Sequence, residues 1–158
     1  MSAEILESFH RASIRNRDLL SRHQLEARVG EWLDCPVLKL DKPHWHNRGE
    51  VPNPGQIFFS IWQEGNGELN YNIHAFKLRN LKQYKLESRK FAQAFRTTFD
   101  ASGWPNVSLD FGPQTLMQGK ISVNPTTLDH DLDSVIANFC RVHHQIDILL
   151  DQRKPATC

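Results

Sequence analysis

Pro43-His44-Trp45-His46-Asn47 sets two imidazoles two residues apart. In extended chain, residues i and i+2 face the same side, so both rings would reach one centre, as a bound transition metal requires. His74, on the polar side of a strand expected downstream, is the natural third ligand. His44, His46 and His74 therefore define one functional alternative, a metal-dependent enzyme. Two features count against it. There is no HExxH pattern, and no carboxylate stands at a recognised offset from the pair.

The other histidines have structural explanations. His143 and His144 are adjacent in a strongly helical segment, where neighbours diverge by roughly 100° and cannot face one metal. Asp129-His130-Asp131 sits where a helix is expected to begin, and acids there complement the helix dipole. No GxSxG, GxGxxG or GxxxxGK[ST] occurs, so neither a serine nucleophile nor a phosphate loop is indicated, and no cofactor is implied. Cys35, Cys140 and Cys158 form no CxxC pair, and an odd count leaves one unpaired. Cys140 lies in an apolar helical stripe and reads as core, whereas Cys158 reads as exposed. Free thiols fit a reducing compartment, and the expected location is cytoplasmic.

Charge carries a second alternative. From Lys77 to Arg96 seven basic residues face the single acid Glu87, while Thr126 to Asp151 holds five aspartates against Arg141. Lys77, Arg79, Lys82, Lys85, Arg89 and Lys90, with Tyr84 among them, would grip phosphates by charge and stacking. The whole chain, however, has a formal net charge of only +1. Binders of nucleic acid usually carry a larger excess, and the basic and acidic segments would neutralise each other if they met. Nucleic acid is thus a disfavoured partner.

The favoured reading is a small non-enzymatic binding domain for a protein or small-molecule ligand that the sequence does not name. Its contact surface would comprise the polar face of a hairpin and two unusual loops, 43–55 and 112–119. Trp45, Asn47, Arg48, Asn72, His74, Gln114 and Gln118 supply hydrogen bonds and aromatic surface of the kind that lines ligand sites.

Positioning these residues falls to a chain of 158 residues, 39% hydrophobic, with four Trp and nine Phe. That length and composition fit one domain over 1–158 with its own core. No apolar run approaches the roughly 20 residues of a membrane span, and the acidic start Met1-Ser2-Ala3-Glu4 does not resemble a secretory signal. Ala3 to Leu33 reads as helical, interrupted at Arg15-Asn16-Arg17. Val37 to Leu40 is a strand candidate that opens a sheet-and-helix region over 37–152, followed by a short tail, 153–158. Gln56 to Gln63 and Glu68 to Leu78 alternate around Glu64-Gly65-Asn66-Gly67, which predicts a β-hairpin. Ser88 is expected to cap a helix over Arg89 to Ala101. Val107 to Phe111 and Met117 to Val123 read as strands. Leu128, Leu132, Val135, Phe139, Val142, Ile146 and Leu149 recur at helical spacing. The predicted order is αβββαββα, an α+β fold with an antiparallel sheet of about five strands and helices on one face.

Overall fold

The computed structural model describes residues 2–155. Along the chain run α1 (Ser2–Arg15), α2 (Arg17–Arg22), β1 (Glu26–Trp32), β2 (Cys35–Asp41), β3 (Gln56–Gln63), β4 (Leu69–Phe76), α3 (Ser88–Thr98), β5 (Thr115–Ile121) and α4 (Leu128–Asp151). The five strands pair in sequence order, each antiparallel to the next. The fold is α+β, with the helices packed on one face of the sheet.

Strand alternation decides which side chains meet those helices. Ile57, Phe59 and Ile61 of β3 stand opposite Ala75, Ile73 and Tyr71 of β4, and all six are fully buried. Leu38 and Leu40 of β2 and Met117 of β5 extend this apolar floor. Phe9 and Ala12 of α1, Phe91 and Phe95 of α3, and Leu132, Phe139 and Ile146 of α4 join it in one cluster. Phe139 lies flat on Phe59, with ring centroids 4.5 Å apart and planes 11° from parallel. Among the described residues no helix is long and apolar enough to cross a membrane.

Three expectations are corrected. The segment 3–33 is not helical throughout: α1 and α2 end by Arg22, and residues 26–32 form the edge strand β1. Gln24 turns the chain out of the helix at φ 60°. Leu33 and Asp34, at φ 53° and 63°, then form the two-residue reversal that lets Trp32 pair with Cys35. Residues 107–111 contribute only a bridge between Ser108 and Gln118. Arg96 holds that region as a loop instead, donating from Nη2 to the carbonyls of Phe111, Gly112 and Thr115 and from Nε to Leu116. Finally, α3 begins at Ser88 itself with Glu87 before it, and no side chain caps it. Cys140 is buried, as its place in the helical stripe predicts, while Cys158 and the end of the 153–158 tail lie outside the described residues.

Candidate ligand-binding face

The sheet's second face is made by the alternate residues. In β3 and β4 these are Gln56, Phe58, Ser60 and Trp62, paired with Phe76, His74, Asn72 and Asn70. In β1 and β2 the same side carries Arg28, Gly30 and Trp32, opposite Lys39, Val37 and Cys35. Phe58 is only 9% exposed, yet it belongs to no part of the helix-side core. It is covered by its neighbours on this face.

Those neighbours form a continuous row across four strands. The Arg28 guanidinium lies 5.9 Å from the Trp32 ring centroid, and Lys39 Nζ lies 4.4 Å from that ring and 4.7 Å from the Phe58 ring. Phe58 stacks on His74 at 5.1 Å, and His74 stacks on Phe76 at 5.6 Å. Lys77 Nζ closes the row 5.4 Å from Phe76. Cations over ring faces are attracted by the ring quadrupole, so the row coheres without any acid in it.

The buried acid nearby is Asp41, 1% exposed at the end of β2, and the exposed Glu26 pairs with it across β1 and β2. The Asp41 Oδ2 accepts from Arg28 at 3.1 Å and lies 2.9 Å from Arg48 Nη1, while Asp41 Oδ1 and Arg28 Nε have no hydrogen-bond partner among the described residues. One carboxylate thus serves two arginines, and Lys39 beside them forms no ion pair among the described residues. Burial, then repulsion from Arg28 and Arg48, lowers the pKa of Lys39 despite the opposing pull of Asp41. Burial and the Lys39 charge likewise lower that of His74. This corner of the face holds more positive charge than its own acids balance.

Of the residues expected at a contact surface, His74 and Asn72 lie on this face, and Gln118 pairs with Asn72 across β4 and β5. Asn72 Oδ1 accepts the Ser60 hydroxyl at 2.5 Å. Arg48 joins them through Asp41 and through Gln56 Oε1 at 3.3 Å. The others do different work. Trp45 is fully buried in the core. Asn47 is buried and staples its loop, donating to the Asn80 carbonyl at 2.6 Å and accepting from the Gly55 N–H at 2.9 Å. The Gln114 carbonyl accepts from the Ala75 N–H, and the rest of Gln114 is exposed.

The three histidines singled out as metal ligands do not gather. Pro43–Trp45 is a 3-10 turn, so the extended geometry that would align His44 with His46 is absent. His44 Nε2 lies 2.6 Å from Asp147 Oδ1, His46 Nδ1 accepts from the Arg48 N–H, and His74 sits in the sheet row. Among the described residues no group of three or more His, Cys, Asp or Glu side chains is placed to hold a metal ion. His44 belongs instead to a polar cluster under the helices. There Lys42 Nζ meets Asp147 Oδ2 at 2.6 Å and His143 Nδ1 at 2.7 Å, and Trp45 Nε1 donates to Asp147 Oδ1. An ammonium only donates, so His143 accepts at Nδ1 and carries its proton on Nε2, 2.9 Å from His23 Nδ1.

Lys77, Arg79, Lys82, Lys85, Arg89 and Lys90 are all exposed, whereas Tyr84 is buried and offers no ring for stacking. Arg28, Trp32, Lys39 and Phe58, which build the row, are not among the residues that the sequence singles out. The helical reading of 3–33 concealed the first two. Lys39 and Phe58 were visible only as the off-core partners in their strands' alternation.

Comparison with protein families, curated proteins and solved structures finds no match to this chain.

Proposed function

We propose that this protein is a small binding domain whose open sheet face takes an anionic ligand carrying a planar group. The observation that supports it is the position of Lys39. Its ammonium lies over two aromatic rings, beside two arginines that share one buried carboxylate. An anion docked there supplies the charge that Asp41 and Glu26 do not, against Arg28, Lys39 and Arg48, and it gains charge-assisted hydrogen bonds in a partly desolvated corner. A planar group attached to that anion finds the half-buried rings of Trp32, His74 and Phe76 alongside. The polar centre of the face, Ser60, Asn70 and Asn72, is buried and hydrogen-bonded, so it acts as a stiff floor.

The test is a titration of 15N-labelled protein with phenyl phosphate and with uridine monophosphate. Amide shifts should concentrate on residues 28–41, 56–62 and 70–77. Lys39→Ala should weaken binding about tenfold or more, the worth of one hydrogen bond to a charged group. Saturable shifts confined to the helical side, or an affinity indifferent to Lys39→Ala, would remove this reading.

A further inference from the structure

The basic strip 77–90 is not neutralised by the acidic helix α4, although the sequence carries matching charge in both. Asp129 and Asp133 pair with Arg15, Asp147 with Lys42 and His44, and Asp151 with Lys154. Thr127 donates its hydroxyl to Asp131. Each α4 acid therefore has a partner outside the strip. Within the strip, Lys90 pairs with Glu87 at 3.5 Å and Lys77 donates to Asn53, and the other four cations have no acidic partner among the described residues.

Lys77 belongs to both features. At φ 51° it ends β4, its Nζ lies over Phe76 at the last position of the sheet row, and it is the first cation of the strip. Positive charge therefore stands at both ends of the aromatic row, Arg28 and Lys39 at one and Lys77 at the other, and runs on from Lys77 along the connection that leads to α3. A single small anion would occupy one end of this path. A ligand with a charge at every repeat would use its full length.

We infer that the ligand of the open face is single-stranded nucleic acid, with its phosphates following the cations from the face onto the strip 77–90 and its bases against the aromatic row. This rests on the reading of the face given above and extends it. A single strand is required because bases paired inside a duplex keep their π-faces stacked and cannot reach side-chain rings. A second copy of this chain is a poor occupant of the same surface, because it would bring the same surplus of cations against itself.

The experiment is fluorescence anisotropy with a labelled oligo-dT of about 20 nucleotides, enough to exceed the roughly 4–16 nucleotides of a small single-strand site. It is run beside the uridine monophosphate titration, with Lys82→Ala/Lys85→Ala/Lys90→Ala as the strip variant and Lys39→Ala as the face variant. The strip side chains are exposed, so the triple variant should unfold at the same temperature as the parent. The oligonucleotide should bind at least tenfold more tightly than the monophosphate. Its affinity should fall steeply between about 50 and 200 mM salt, with a log–log slope of about −0.7 per neutralised phosphate. The strip variant should flatten that slope by about 2 while leaving monophosphate binding unchanged. Lys39→Ala should weaken both.

Four results would overturn the inference. If the monophosphate perturbs the face but the oligonucleotide binds no tighter, or ignores the strip variant, the strip is a solvated surface and the face reading survives. If duplex DNA or heparin binds as well as oligo-dT, the partner is a polyanion recognised by charge alone. If oligo-dT binds but is indifferent to Lys39→Ala, the strip acts without the face. If neither probe binds at low salt, both readings fall.

Discussion

Asp147 Oδ2 accepts a hydrogen bond from Lys42 Nζ at 2.6 Å, and Lys42 is 3% exposed. One carboxylate on α4 thereby fixes the residue that follows β2, and through Trp45 Nε1 and His44 Nε2 it also fixes the turn after it. Removing one partner of a buried pair leaves the other charge desolvated and unmatched. Asp147→Ala should cost about 3 kcal/mol, the low end of the range for buried pairs because Asp147 itself is a quarter exposed. Adding Lys42→Met should restore most of that loss. Urea unfolding of both variants checks it, and an unchanged midpoint for Asp147→Ala would mean the pair does not tie α4 to the sheet.

The same cluster makes stability depend on acid. Burial, then the charges of Lys42 and His23, pushes the pKa of His143 down to about 4 from its ordinary 6.5, against the pull of Asp147 and with a small further push from His144. Burial pushes the Asp147 carboxyl up, but hydrogen bonds from His44, Lys42 and Trp45 overcome it and leave the pKa below the ordinary carboxylate range. Below about pH 6.5 the unfolded chain binds a proton at residue 143 that the folded chain refuses until about pH 4. Stability contributed by His143 is therefore whole above about pH 6.5 and lost as pH falls towards 4, by up to about 3 kcal/mol. Asp147 adds a loss of the same sign below the ordinary carboxylate range. Urea midpoints measured across this window should fall with acid, and His143→Gln, which can still accept from Lys42 but does not titrate, should flatten the decline.

Gly119 has no room for a side chain. It pairs with Tyr71 across β4 and β5, and a Cβ there would run into the Tyr71 ring and stand 2.7 Å from the Pro105 carbonyl. Tyr71 needs that ring position, because its hydroxyl donates to the same carbonyl at 2.6 Å. Gly119→Ala should cost about 1–3 kcal/mol from overpacking. Tyr71→Phe, which removes only the hydrogen bond, should cost about 1 kcal/mol. Thermal unfolding of the two variants separates the effects, and equal losses would show that the crowding at residue 119 is relieved elsewhere.

Phe139 is the keystone of the helix layer. It is fully buried, lies flat on Phe59, and meets Tyr71 and Trp104 edge-on. Phe139→Ala should destabilise by about 3–5 kcal/mol. That is a large share of a typical net stability of roughly 5–15 kcal/mol. A denaturant midpoint that does not move would contradict this packing of α4 against the sheet.

Wherever one face of an element was buried against a uniform apolar surface, the sequence determined the outcome. The period of two in residues 56–63 and 69–76 and the helical spacing from Leu128 to Leu149 each fix a face, because a shift of one residue would turn a strand's apolar set to the other side and swing a helix's stripe by about 100°. Cys140 was legible for the same reason. Tertiary structure decided the rest. Residues 26–32 have neither period in clear form, and they are a strand because β2 offers them a hydrogen-bonding edge after a two-residue reversal. Trp45 had the composition of a contact residue, but a 3-10 turn delivers it into the core with its indole N–H satisfied by Asp147, 102 positions away. Spacing alone allowed His44 and His46 to share one centre in extended chain, and that same turn separates them. The cation–aromatic row joins residues from four strands whose only relation is register, a quantity fixed by pairing and absent from any local window. Charge shows the division most clearly. Composition supplied a basic strip and an acidic helix, and the fold alone decided that Arg15, Lys42, His44 and Lys154 would take up four of the helix's five acids and leave most of the strip's cations without an acidic partner among the described residues.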